Sequence, residues 1–173
     1  MGAVLDAIIK RRSVRKYTGE DLTAGQLETI LQAGLLAPTS QDRRPCRFVV
    51  VRDRDLLRRL SRAKSAGAGL LADAAAGIVV QVDGNAIDTW VEDSSIALAF
   101  MHLAAADLGL GSCWVQMHLR NASDGTDAEE VVRRVLGLGD EQRIVGILSL
   151  GVPAQEQLPR STADADFGKV TWL

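Results

Sequence analysis

Five cations fall within seven residues in Lys10-Arg11-Arg12-Ser13-Val14-Arg15-Lys16. Guanidinium groups offer forked N–H donors that match phosphate oxygens, and Ser13 adds a hydroxyl, so the cluster suits a phosphate monoester dianion. It also fits a solvated helix end, where cations face the carbonyl pole of the dipole. A second basic island, Arg43, Arg44 and Arg47 around Pro45, either serves the same anion or stays in solvent.

Other chemistries find no support. Gly109-Leu110-Gly111-Ser112-Cys113-Trp114 has Trp114 where a dinucleotide fingerprint needs its third glycine, and it runs from helix to strand, the reverse of the required order. Gly137-Leu138-Gly139 fails at Gln142 in the same way. The two histidines, His102 and His118, lack ligand spacing, so no metal site is expected, and His102 on an apolar helix reads as a satisfied core or interface histidine. Cys46 and Cys113 are too far apart for a Cys-x-x-Cys pair, and the apolar context of Cys113 keeps its thiol unreactive. No Gly-x-Ser-x-Gly elbow is present, and Asp42 and Asp93 are single carboxylates without a visible partner. A chain with anion-binding arginines and no nucleophile delegates its chemistry to a bound cofactor.

These residues must be positioned by a chain of 173 residues, one domain's worth, read as a single domain over 1–173. Lys plus Arg number 20 against 22 Asp plus Glu, a formal charge of −2, which argues against a nucleic-acid partner. The most apolar stretch, from about Trp90 to Leu108, is interrupted by Glu92, Asp93, His102 and Asp107, so no membrane span is expected. Met1-Gly2-Ala3-Val4-Leu5-Asp6 has an acid where a secretory leader would be basic, and two well-separated cysteines suit a reducing compartment, so the cytoplasm is expected. Apolar spacing predicts helices over Val4–Lys10, from near Ala24, over Asp53–Lys64, over Trp90–Leu108 and over Asp127–Leu136. Thr23-x-x-Gln26 forms a capping box for the second, and Gly109 and Gly111 end the long fourth, which is apolar on nearly all faces like a helix surrounded by protein. Strands are predicted at Phe48–Val51, Ile78–Val82, Ser112–Met117 and Ile144–Leu150, with a turn at Asp83-Gly84-Asn85. Pro38–Pro45 is a polar loop, and the tail after Gly151, ending in Phe167, Val170, Trp172 and Leu173, needs something to pack on. Helices alternating with about four strands give an α-β-α layered domain.

Four stretches, in order and spanning almost the whole chain, resemble the nitroreductase family of FMN-dependent oxidoreductases. They are Arg11-Arg12-Ser13-Val14-Arg15-Lys16-Tyr17; Ala37-Pro38-Thr39-Ser40-Gln41-Asp42-Arg43-Arg44-Pro45 before the Phe48 strand; Gly109-Leu110-Gly111-Ser112-Cys113-Trp114; and Leu150-Gly151-Val152-Pro153. The resemblance implies an α+β, three-layer α-β-α fold with a central mixed, mainly antiparallel sheet. It also implies a homodimer with FMN at the interface and a C-terminal tail extending onto the partner subunit. By the same resemblance, Arg11, Arg12, Ser13 and Arg15 hold the FMN phosphate, ribityl chain and pyrimidine edge. Pro38, Thr39, Ser40 and Asp42 approach that flavin from the other subunit. Trp114, Val115, Gln116 and Met117 cover one face and supply a backbone N–H towards flavin N5, and the late phosphate cation is Arg160 or Lys169. The chain departs from the family's usual Asn at Asp42, Gln at Arg44 and Trp at Cys46. An ionised Asp42 beside a reduced flavin is unfavourable unless Arg43 or Arg44 pairs with it. The implied activity is hydride transfer from NAD(P)H through tightly bound FMN to a small acceptor, a nitroaromatic, quinone, enone or flavin, by ping-pong kinetics. An FMN-storage protein without turnover would share every cofactor residue, and a basic interaction module with an empty site is a third reading.

Overall fold

A computed structural model describes residues 2–84 and 88–173; Asn85 of the expected turn and Met1 lie outside the described residues. Helix α1 spans Ala3–Lys10 and α2 Ala24–Leu35. The capping box forms at α2, with Gln26 N donating to Thr23 Oγ1 at 3.2 Å and Thr23 N to Gln26 Oε1 at 2.9 Å. After strand β1 (Arg47–Val51), Asp53 Oδ1 caps α3 (Arg54–Leu60) by accepting from Asp55 N and Leu56 N. The helix expected to reach Lys64 stops at Leu60. Beyond it Arg62 and Ala63 donate to carbonyls three residues back, and Ser61 Oγ donates to the Arg58 carbonyl, a tightening that turns Ala63 into the core. There follow β2 (Ala76–Asp83), α4 (Trp90–Asp107), β3 (Gly111–Gln116), α5 (Ala128–Leu136) and β4 (Gln142–Gly151).

The four strands lie in the order β1-β2-β4-β3, with every neighbouring pair antiparallel. The parallel part of the expected mixed sheet is one bridge, Ser13 to Ser112. Alternation along β2 sends Ile78 and Val80 to one face, where they pack with Leu27 and Ile30 of α2 and Leu98 and Met101 of α4. Val79 goes to the other face, with Leu57 and Leu60 of α3 and Val131 and Val132 of α5. The result is an α+β molecule of three layers, helices on both faces of one sheet.

Two expectations are corrected. Gly109, at φ +72°, does end α4, but Gly111 belongs to β3, where a Cβ would meet Val14 Cγ1 at 2.8 Å. Its bareness lets the Arg11–Tyr17 segment lie against the strand. Nor is α4 surrounded by protein within one chain. Phe100, Leu103 and Ala104 share an open apolar groove of about 430 Å³ with Ala3, Val4 and Ala7 of α1.

Candidate cofactor site

Beyond α1 the chain runs extended beside the sheet. Val14 N donates to Ser112 O at 2.9 Å, Thr18 N to Val152 O at 3.0 Å and Ala154 N to Lys16 O at 3.0 Å. The Tyr17 hydroxyl bonds the Val14 carbonyl at 2.9 Å and Ser149 Oγ at 2.6 Å, and burial pushes its pKa above the ordinary phenol value. The basic segment is therefore a fixed element and not a frayed helix end.

Its cations diverge in role. Arg11 Nη1 meets His102 Nε2 at 3.1 Å, and Arg15 Nη1 donates to Ser13 O at 3.3 Å. Arg12 instead donates to the carbonyl of Leu158 and ties down the tail. The Cys113 thiol is pushed up by burial, which outweighs the opposing influence of Arg15, the Ser13 hydroxyl, Lys64 and Arg11. Burial, and then the nearby Arg120, pull the Lys64 ammonium below its ordinary value. Among the described residues, none of Arg11, Arg15, Lys64 and Arg120 forms an ion pair. Cations left without an ion-pair partner are what a bound dianion would complete. The sequence pattern leaves Lys64 at the end of a helix, with no local signal that it joins this site.

The Pro38–Pro45 loop lies elsewhere. Ser40 N donates to Asp93 Oδ1 at 2.9 Å, and Thr89 Oγ1 approaches Asp93 Oδ2 at 3.4 Å, so Asp93, unpartnered by sequence pattern, is the buried anchor of this loop. Thr39 Oγ1 accepts from Arg44 N at 2.9 Å, and Gln41, Asp42 and Arg44 all have φ near +50°. Asp42 is held by Arg44 through Nε at 2.8 Å and Nη2 at 3.1 Å, which lowers its carboxyl pKa and neutralises its charge locally. Pro38 is exposed beside Thr39. Asp93 and His102 stand about 13 Å apart along α4. One chain thus holds the loop and the cationic segment at separate points on the helix.

Val115 of β3 and Met117 just beyond it bury their side chains in the α3/α5 layer, leaving Trp114 and Gln116 on the opposite, half-exposed face. Trp114 Nε1 donates to Gln116 Oε1 at 2.9 Å, and Gln116 Nε2 to His118 O at 3.1 Å. A register shift between β2 and β4 brings the Val145 carbonyl to both Met117 N, at 2.9 Å, and His118 N, at 3.1 Å. The Met117 N–H is therefore already engaged. Behind this turn lies a cluster that no sequence motif announces. The buried Glu129 accepts from His118 Nδ1 at 2.7 Å, Arg143 and Ile144 N, while Trp90 covers His118 edge-on and lies 4.5 Å under the Arg143 guanidinium.

Of the late cations, Arg160 donates its backbone N–H to Ile9 O at 2.9 Å, two residues from Arg11, whereas Lys169 pairs with Asp166 at 3.8 Å in solvent. Among the described residues no helix is long and apolar enough to cross a membrane.

A family model described as the Nitroreductase family matches residues 8–68 and 63–152. An Archaeoglobus fulgidus protein provisionally named NADH dehydrogenase/NAD(P)H nitroreductase is 35% identical over 161 residues, covering 91% of this chain and 89% of its own length. A solved FMN-dependent nitroreductase from Clostridium difficile R20291 superimposes with TM-score 0.94 at 36% identity, over 97% of this chain and 98% of that one. A provisionally named nitroreductase of Desulfovibrio desulfuricans, solved in complex with FMN, gives TM-score 0.75 at 27% identity, over 95% of each chain.

Proposed function

The chain belongs to the nitroreductase family, and from that premise we propose that it is an FMN-dependent NAD(P)H oxidoreductase acting on a small electron acceptor. One observation carries the assignment of the cofactor to this site: Arg11, Arg15 and Lys64 all act on the Cys113 thiol beside Ser13, and among the described residues none of the three forms an ion pair. FMN, when bound, supplies hydride acceptance and donation at its N5.

The protein's own residues bind and orient. Arg11 and Ser13 serve the phosphate and ribityl chain. Arg15 and Lys64 place positive charge where the pyrimidine edge gains negative charge on reduction. Arg160, held beside Ile9, completes the phosphate site in preference to the solvated Lys169. Arg12 secures the tail through Leu158. Trp114 and Gln116 form the wall of the flavin site, and Val115 and Met117 hold that wall against the core. Pro38, Thr39 and Ser40 act on the partner subunit's flavin, because Asp93 fixes their loop at a point on α4 separate from the His102 that meets Arg11. The apolar groove between α1 and α4 is the homodimer contact, and the exposed Phe167 and Trp172 of the tail pack on the partner. The kinetics would be ping-pong, with Trp114 and Gln116 lining the one site that nicotinamide and acceptor would use in turn. The free thiols Cys46 and Cys113 suit a reducing cytoplasm.

The test is a purified full chain. It is expected to absorb in the blue, to release FMN and not FAD on heating, and to bleach on rapid mixing with NADH or NADPH. Absence of flavin after reconstitution would overturn the cofactor assignment, and bound flavin that no nicotinamide reduces would make it a storage protein.

A further inference from the structure

His102 sits 7% exposed on α4 with both ring nitrogens engaged: Nε2 faces Arg11 Nη1 at 3.1 Å and Nδ1 faces Ser112 Oγ. A guanidinium has only N–H donors, so Nε2 must be the acceptor. The proton of the neutral ring then lies on Nδ1 and is donated to the Ser112 hydroxyl. Ser112 is itself fixed, since its carbonyl accepts from Val14 N at 2.9 Å. Three separate elements, the segment after α1, the C-terminal half of α4 and the start of β3, lock the imidazole into one orientation. Protonation is opposed by burial and by Arg11, which hold the ring neutral down to about pH 4.

We infer that His102 is a positioning residue that aims the Arg11 guanidinium at the cofactor phosphate by accepting one of its N–H groups. An arginine otherwise carries several free rotations to its fork, and each one lost on binding weakens the ligand. Holding Nη1 on a buried acceptor removes that loss beforehand and leaves the remaining N–H donors of Arg11 for phosphate. Sequence patterning alone assigns His102 to satisfied core or interface packing. The geometry adds a direction to that packing: the ring is satisfied by the residue that faces the ligand. This inference rests on the reading of the cationic cluster as an FMN site.

The experiment compares two ligands that differ only in the phosphate. Apoprotein from the full chain is titrated with FMN and with riboflavin, following flavin fluorescence, for wild type, His102→Leu, His102→Gln and Ser112→Ala. Wild type is expected to prefer FMN. His102→Leu, which removes the acceptor at similar volume, is expected to lose about tenfold or more in FMN affinity, as for one charged hydrogen bond, with riboflavin affinity little changed. His102→Gln, whose Oε1 can accept from Arg11, is expected to retain most of the preference. Ser112→Ala frees the ring without touching Arg11 and is expected to lower the FMN-to-riboflavin ratio less; it carries the test if His102→Leu does not fold. An unchanged ratio, or equal losses for both ligands, would overturn the positioning role. Wild type that binds riboflavin as well as FMN would instead overturn the phosphate site on which it rests.

Discussion

Glu129 and Arg143 meet as a fork: Arg143 Nε donates to Oε2 and Nη2 to Oε1, both at 3.1 Å, with the carboxylate almost wholly buried. Burial raises the Glu129 pKa, but the hydrogen bonds from Arg143, His118 and Ile144 N outweigh it and leave the carboxyl below its ordinary value. Glu129→Ala strands a guanidinium, an imidazole and a backbone N–H together, and is expected to destabilise by about 3 kcal/mol, read from urea unfolding. Loss of less than about 1 kcal/mol would mean that water replaces the carboxylate without penalty.

Acid should weaken the fold in two stages. The His102 pKa falls from 6.5 in the unfolded chain to about 4 in the fold, so between these values the unfolded state binds the extra proton. Stability from this group is complete above pH 6.5 and declines as pH falls towards 4, by up to about 3 kcal/mol. Glu129, lowered from 4.5, adds a further loss as pH falls below that value. Urea midpoints measured from pH 7 to pH 4 are expected to fall continuously, and His102→Gln should flatten the upper part of that curve.

Asp93→Ala is expected to destabilise by about 1 to 3 kcal/mol, because the part-buried Ser40 N–H loses its acceptor. The freed loop also contains three non-glycine residues at positive φ, which should relax without the anchor. Proteolytic cleavage between residues 38 and 45 that appears in the variant and not in wild type would report it.

Arg15→Ala and Lys64→Ala are each expected to weaken FMN binding by about tenfold, the effect of removing one charge-assisted hydrogen bond from a partly desolvated site. Asp42→Asn should leave the flavin midpoint potential unchanged, since Arg44 already neutralises the carboxylate. A potential rise near 30 mV, corresponding to about a tenfold change in a two-electron equilibrium, would show that the charge is felt at the ring.

Phe100→Glu puts a charge into the apolar groove shared by α4 and α1. With this groove as the proposed homodimer contact, sedimentation is expected to show monomer, and flavin is expected to be lost because the proposed reach of Thr39 and Ser40 into a partner's site would be broken. A flavin-loaded dimer of the variant would place the interface elsewhere.

Much of this molecule is written locally in its residues. Period-2 and period-3.6 spacing of Ile78, Val80, Leu27 and Ile30 decides which faces are buried, and the Thr23–Gln26 box and Gly109 mark helix ends, because these effects act within a turn or two of chain. The cluster Lys10 to Lys16 is likewise visible as chemistry, since five cations in seven residues require either solvent or an anion. Partnerships across the fold are not local. That Asp93 anchors Ser40, that Glu129 gathers His118 and Arg143, that Lys64 joins Arg15 around Cys113, and that His102 aims Arg11 all depend on approaches between distant segments, and an isolated Asp, Glu, Lys or His reads the same in either environment. The amino-acid order alone determined the layers, the strand and helix faces and the presence of an anion-seeking cluster. Only the tertiary structure decided which cations stay unpaired, because whether a charge has a partner is settled by side-chain positions and not by spacing along the chain.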